Sequence, residues 1–221
     1  MRKFIFKDTD WPLECALIIN NHITDLFSYK GCVNIFLTGG RGAKKVYKHL
    51  SFLLSSHIGD MNFFLGDERF LPESHIDSNY RMIHECLFPN GLMKNQKLYK
   101  MFDSLYDVNT AALKYEEIIP ENIDMLLLGL GDDGHIASLF PGSMENFFQN
   151  RSVISVNAPN GIKRLTITKK IIDNSDEIII FATGVSKKNI LSQMKIDSDI
   201  NVIPASLVYH GLWLIDESAC N

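Results

Sequence analysis

Apolar positions along this chain follow two patterns: short, nearly unbroken runs, and longer stretches in which apolar residues return every three or four places. Cys32 to Leu37, Met61 to Leu65, Met125 to Leu128, Glu177 to Phe181 and Leu212 to Ile215 are of the first kind and predict strands. Met125 to Leu128 has no polar gap, which suits a strand buried on both faces of a parallel sheet. A short opening strand, a strand at Val153 to Val156 and a loop with a short strand within Gly91 to Met101 complete this set. The helical pattern begins after Asp10, a possible cap, and runs through Leu13, Ala16, Leu17, Ile23 and Leu26 to a stop at Gly31, with Pro12 in the permissive first turn. Further helices are predicted from about Lys44 to Ser56, from a cap at Asp77 or Ser78 to Leu87, over Val108 to Ile118, near Lys169 to Asn174, and up to about Met194. Pro159 to Thr168, which carries Lys163, Arg164 and Thr166, is given no element.

Strands alternating with helices predict an α/β fold, a doubly wound, mostly parallel sheet with helices on both faces. No repeat and no low-complexity linker interrupts the chain, so residues 1–221 are expected to form a single domain. Four loops, at 38–43, 66–72, 129–135 and 183–187, follow apolar strands and should share the carboxyl edge of the sheet, where such folds place their ligand crevice. They would bring Arg41, Arg69, His135 and Lys187 together with Asp67, a site for an anionic small molecule served by one titratable base.

Individual loops sharpen this expectation. Gly129, Gly131 and Gly134 match the G-x-G-x-x-G dinucleotide fingerprint, but Asp132 and Asp133 would repel a pyrophosphate. The next strand also ends in Asn157, not in the acidic residue that a ribose wants. Thr38-Gly39-Gly40-Arg41-Gly42-Ala43 lies between a strand and a helix, which makes a ready anion site from free backbone N–H groups, although it lacks the G-K-[ST] of a P-loop. The alternative is a tight turn that binds nothing. Asp67, Glu68 and Arg69 cluster at the end of a strand, and the plain alternative there is a surface pair between Asp67 and Arg69.

Composition narrows the partners. The chain has 221 residues, 46% of them hydrophobic, enough for one substantial core, and a formal charge of −4 that gives no basic field for nucleic acid. Cys15, Cys32, Cys86 and Cys220 form no C-x-x-C pair, so neither a zinc site nor a disulfide framework is expected, and reduced thiols fit. The segment Met1 to Asp8 is charged and lacks the apolar stretch of a signal peptide, and no run approaches the ~18 apolar residues of a membrane span. The expectation is a soluble, cytoplasmic protein without membrane partners, whose oligomeric state is left open between monomer and weak dimer.

Two long segments carry a resemblance. Asp67-Glu68-Arg69-Phe70-Leu71-Pro72 with His75, Asp77, Ser78 and Asn79 resembles the D-E-R-x-V-P-x-x-H-x-D-S-N stretch of the 6-phosphogluconolactonases, Leu71 replacing Val. Gly129 to Gly142 resembles their G-x-G-x-D-G-H-T-A-S-L-F-P-G, with Ile136 for Thr. Weaker matches at Arg164 to Thr166, Thr183 to Lys187, Pro204 to Ser206 and Trp213 to Asp216 extend the likeness over nearly the whole chain. The first turn departs from the family, Gly39-Gly40-Arg41-Gly42-Ala43 standing where Gly-Gly-Ser-Thr-Pro is usual. The resemblance implies a sugar-phosphate isomerase/CoA transferase-like fold and hydrolysis of 6-phosphogluconolactone without a metal or other cofactor. Opening a lactone needs an activated water and a partner for the oxyanion, so His135, Arg69 and Asp67 are the expected catalytic residues, Asp67 orienting Arg69 or the sugar hydroxyls, and Arg164, Lys187, Arg41 and the N–H groups of Gly39 and Gly40 are the expected phosphate ligands. Glucosamine-6-phosphate deaminases share D-G-H-I-A but continue F-N-E-P, whereas Ser138-Leu139-Phe140-Pro141 offers no carboxylate. A sugar-phosphate sensor on the same fold is the non-enzymatic alternative. His75 is expected to be structural.

Overall fold

Seven strands form one parallel sheet: β1 (Arg2–Phe6), β2 (Cys32–Leu37), β3 (Asp60–Leu65), β5 (Gln96–Leu98), β6 (Ile123–Gly129), β9 (Ser175–Ala182) and β10 (Leu212–Asp216). A smaller antiparallel sheet is built from β4 (Asp67–Arg69), β7 (Val153–Asn157) and β8 (Lys163–Ile167). The computed structural model describes residues 1–103 and 105–220. The helices are α1 (Trp11–Phe27), α2 (Arg41–Leu54), α3 (Asn79–Leu87), α4 (Val108–Glu116), α5 (Lys169–Asp173), α6 (Lys188–Gln193) and α7 (Glu217–Cys220).

The main sheet has the order β1-β10-β9-β6-β2-β3-β5. From β2 the chain winds outward through β3 to β5, then returns to lay β6 on the other side of β2 and winds outward again through β9 and β10. The direction of winding therefore reverses between β2 and β6, and a crevice opens beyond the carboxyl ends of those two strands. Every residue of β6 from Ile123 to Leu128 is buried, as its unbroken apolar run requires of a strand covered on both faces. Asp124 is the polar exception, and it is met by the Lys30 ammonium and by the Asn34 N–H at 2.7 Å.

Several local expectations are corrected. The buried stripe of α1 is Trp11, Cys15, Ala16, Ile19, Ile23 and Leu26, while Leu13 and Leu17 face solvent, because a period of 3.6 carries them off the seam. Asp10 does not cap this helix: its backbone is already helical and its carboxylate accepts the Thr9 hydroxyl at 2.9 Å. The helix ends at Phe27, before Gly31. Ser78, by contrast, caps α3 by accepting the Arg81 N–H at 3.1 Å. Helix α2 starts at Arg41, three residues earlier than its apolar pattern suggests, since Gly40 with φ +97° lets the chain turn directly into it. The small sheet has no counterpart in the expected architecture. Lys163 and Arg164 break the apolar signal of β8, and its partners are Asp67 to Arg69 and Val153 to Asn157, the first remote in sequence.

Candidate active site

A cleft of about 260 Å³ sits at the reversal point and is lined by residues from all four predicted loops. Asp67, Arg69, His135, Arg164, Lys187, Gly39, Gly40 and Arg41, the residues expected to be catalytic or to hold a phosphate, all line it.

The loop after β2 supplies backbone. Tyr47, one and a half turns into α2, donates its hydroxyl to the Thr38 carbonyl at 2.9 Å and accepts the Thr38 N–H at 3.0 Å, which fixes the end of the strand. Helix α2 has no side-chain cap, so its first N–H groups and the positive end of its dipole meet the cleft. Glycine is needed at position 39, where a Cβ would fall 1.9 Å from the Asn79 Oδ1.

The small sheet supplies charge. Pairing of β4 with β8 sets Arg69 opposite Arg164 and Asp67 opposite Thr166. Asp67 is buried and accepts the Ser138 hydroxyl at 2.6 Å and the Asn79 amide at 3.2 Å, with the Arg164 guanidinium 3.7 Å away. The cation beside Asp67 is thus Arg164, and Arg69 is instead anchored on the Asp77 carbonyl. Alternation along the strand puts Asp67 and Arg69 on one face, with Glu68 on the other, yet no Asp67–Arg69 surface pair forms, because Asp67 is buried against Ser138, Asn79 and Arg164 while the Arg69 guanidinium is held by the Asp77 carbonyl. Glu68 is also buried: it accepts the N–H groups of Arg69 at 2.7 Å, Asn79 at 2.8 Å and Tyr80 at 2.7 Å, together with the Ser78 hydroxyl at 3.1 Å. Burial pushes its carboxyl above the usual glutamate value despite these donors. Its work is to hold the start of α3, and so Asn79, against Asp67.

The Nε atoms of Arg69 and Arg164 are buried without a hydrogen-bond partner among the described residues. An unsatisfied buried donor costs ~1–3 kcal/mol, more when charged, and two of them in one cleft point to an anionic ligand. Burial pushes the Arg164 guanidinium below its ordinary value, against the pull of Asp67. Its guanidinium lies 5.4 Å from the Phe140 ring centre.

The loop after β6 supplies an imidazole. His135 Nδ1 lies 2.5 Å from Asp133 Oδ1, and the same oxygen accepts the His135 N–H at 3.1 Å. Burial opposes the charge on Asp133, but the hydrogen bonds and charge of His135 bring its carboxyl below the usual aspartate value. An ionised carboxylate only accepts, so Nδ1 carries a proton, and in the neutral tautomer Nε2 is the acceptor. Phe140 packs on the imidazole with ring centres 4.9 Å apart, and Gly131 makes room for it, since a Cβ there would fall 2.0 Å from Nδ1. Ala137 holds φ +48°, a conformation rare outside glycine, as the chain turns to present Ser138 to Asp67.

Lys187, on the turn after β9, pairs with Asp132, which also accepts the Ser186 hydroxyl at 2.8 Å. His75 lies outside the cleft and accepts the Asp77 N–H at 3.1 Å. The sequence did not announce the supporting roles of Tyr47, of Ser138 or of Thr166, whose hydroxyl accepts the Ser138 N–H at 3.0 Å. Of these, Ser138 carried a signal in the motif stretch, whereas Tyr47 and Thr166 act through contacts that no spacing announces. Among the described residues no group of three or more His, Cys, Asp or Glu side chains is placed to hold a metal ion, and no helix is long and apolar enough to cross a membrane.

A family model described as glucosamine-6-phosphate isomerases/6-phosphogluconolactonase matches residues 10–214. A 6-phosphogluconolactonase of Synechocystis sp. is 29% identical, the match covering 94% of this chain and 92% of that protein. The crystal structure of 6-phosphogluconolactonase from Thermotoga maritima superposes with a TM-score of 0.84 at 25% identity, over 98% of this chain and 99% of its own. A monomeric glucosamine-6-phosphate deaminase shares the fold, with a TM-score of 0.80 at 19% identity over 99% of this chain and 98% of its own. The fold is therefore common to two chemistries, and only the residues of the cleft distinguish them.

Proposed function

The chain belongs to the glucosamine-6-phosphate isomerase/6-phosphogluconolactonase family, and on that premise we propose that it hydrolyses 6-phospho-D-glucono-1,5-lactone to 6-phospho-D-gluconate as one domain spanning residues 1–221. The observation that carries the choice is Phe140. The rival deaminase motif puts its glutamate at this position, and here an aromatic ring packs 4.9 Å from the imidazole of His135 instead. Without that carboxylate the cleft keeps a base and cations, which is what lactone opening needs.

In this reading Nε2 of His135 takes a proton from water as the oxygen attacks the lactone carbonyl. Arg69 faces the developing oxyanion. As the tetrahedral intermediate collapses, the ring C–O bond breaks, the electron pair goes to the ring oxygen, and the imidazolium returns its proton there. Asp133 steadies the imidazolium while it exists. Asp67, whose partners are Ser138, Asn79 and Arg164, positions the sugar hydroxyls rather than Arg69. Arg164, Lys187, Arg41 and the N–H groups of the Gly39 and Gly40 turn hold the phosphate, an arrangement supported by the helix end and by the buried unpartnered Nε of Arg164.

The test is turnover of freshly made 6-phosphogluconolactone against its spontaneous hydrolysis, in a coupled assay for the acid. Acceleration is expected, with no ammonia released from glucosamine 6-phosphate. Ammonia release without lactone turnover would establish the deaminase, and binding of sugar phosphates with neither reaction would establish a sensor.

A further inference from the structure

The two neighbouring aspartates of the loop after β6 have different partners, and only Asp133 has a place in the reaction. Asp132 lies at the phosphate end of the cleft, where it engages the Lys187 ammonium and accepts the Ser186 hydroxyl at 2.8 Å. Hydrogen bonding from Lys187, reinforced by Ser186 and by the nearby charge of Arg41, outweighs burial and keeps its carboxyl below the usual aspartate range. A carboxylate thus holds one of the cations that the proposed function assigns to the phosphate and lies within the field of another, Arg41. The partners differ in freedom: the Asp132 side chain is 61% exposed and that of Lys187 only 15%. The lysine has little room to withdraw from the cleft, whereas the carboxylate can swing into solvent.

We propose that Asp132 is a built-in competitor for the phosphate: its carboxylate holds Lys187 and must release it when a phosphate monoester dianion binds, so that this residue sets how tightly substrate and product are held. The inference rests on the proposed function for the identity of the sugar phosphate, not for the exchange of partners at Lys187. An ammonium cannot satisfy a carboxylate and a dianion at close range without bringing like charges together. The competition weakens ground-state binding, and it does so equally for product, which favours release of a product that carries a new negative charge.

Titration calorimetry on the full chain tests this with 6-phosphogluconate, inorganic phosphate and gluconate as probes. Asp132→Asn should lower the Kd for the two phosphate-bearing probes by about fivefold and leave gluconate unchanged. Asp132→Ala should tighten phosphate binding in the same direction. A gain with Asn but not with Ala would mean that the new amide contacts the phosphate, and would overturn the proposal. In a Lys187→Ala background the Asp132→Asn gain should shrink below about twofold, because the coupled pair has already been broken. An equal gain in both backgrounds would assign the effect to general repulsion and overturn it too, as would unchanged or weaker phosphate binding in Asp132→Asn alone. Lactone turnover by the unmodified protein reports separately on the proposed function, and the inorganic phosphate arm does not depend on it.

Discussion

The two glycine loops that flank the reversal of the sheet look alike as strings, yet they serve the cleft by opposite means. After β2, Gly40 with φ +97° turns the chain into a helix of 14 residues, and the N–H groups at its start remain available to an anion. After β6 no helix follows. The Gly131 N–H is spent on the His135 carbonyl at 2.8 Å and the Gly134 N–H on the Gly131 carbonyl at 3.1 Å, so the backbone closes on itself and side chains do the work. One loop offers the cleft its backbone, and the other the side chains of Asp132 and His135, with Asp133 behind the imidazole. The letters G-x-G-x-x-G in the second loop therefore mark a scaffold for an imidazole and not a pyrophosphate cradle. What separates the two is where the backbone donors go.

The sharpest way to break this comparison is to remove the side chain that the second loop delivers. His135→Gln keeps a polar group of similar reach without a titrating nitrogen, and kcat should fall about 10²- to 10⁴-fold, with 6-phosphogluconate binding retained. A variant within a few-fold of the parent in kcat would take His135 out of the mechanism and leave Asp67 as the next base to test.

A backbone change in the same loop should act through that side chain. The Cβ of Gly131→Ala would meet the imidazole at 2.0 Å and force it aside. Because ~1 Å of misplacement can cost ~10²-fold, kcat should drop by about 10- to 100-fold while KM for the lactone stays near the parent value. If KM rose instead and kcat held, the loop would be binding through its backbone after all, and the contrast between the loops would fail.

Lys187→Ala examines the phosphate end. A phosphate held away from the reacting carbonyl contributes alike to ground and transition states, so KM should rise about tenfold and kcat should change much less. Initial-rate kinetics showing the reverse split would move Lys187 to the lactone end.

Smaller still is a pH effect on stability. Asp133 is held below the usual aspartate value in the fold, so its contribution is complete above the unfolded value of about 3.9 and is lost as pH falls through it towards the folded one. With 45% of that side chain exposed, solvent screening keeps the effect modest. The urea midpoint of Asp133→Asn should therefore decline slightly less than the parent's between pH about 6 and 3.5, and a steeper decline would contradict the sign. Finally, EDTA should leave turnover intact, since water and His135 suffice for the proposed chemistry. Loss of activity restored by a divalent cation would reveal a metal requirement.

How much of this was legible in the sequence depended on the range of the interaction. A continuous apolar run marked β6, which is buried from Ile123 to Leu128, and β2 ran from Cys32 to Leu37 in the structure as in the apolar pattern, because strands covered on both faces are nearly continuous in apolar residues. Ser78 was recognisable as a cap because the contact it makes is three residues away. The four loops could be assigned to one edge because strand direction in a parallel sheet decides it, and the residues of that edge came together in the cleft.

Tertiary structure alone decided the rest. That Asp67 faces Arg164 and Ser138 rather than Arg69 follows from the antiparallel pairing of Asp67–Arg69 with Lys163–Ile167, roughly a hundred residues on, and no local pattern encodes the partner of a short edge strand. Which of two adjacent aspartates serves the imidazole was equally open. Asp133 does so because Gly131 and Gly134 curl the loop back on itself, and Asp132 is left facing a lysine that arrives from another strand. Local chemistry selected the residues of the site, and the closing of long loops selected their partners, because a charge pairs with whatever the fold brings within reach.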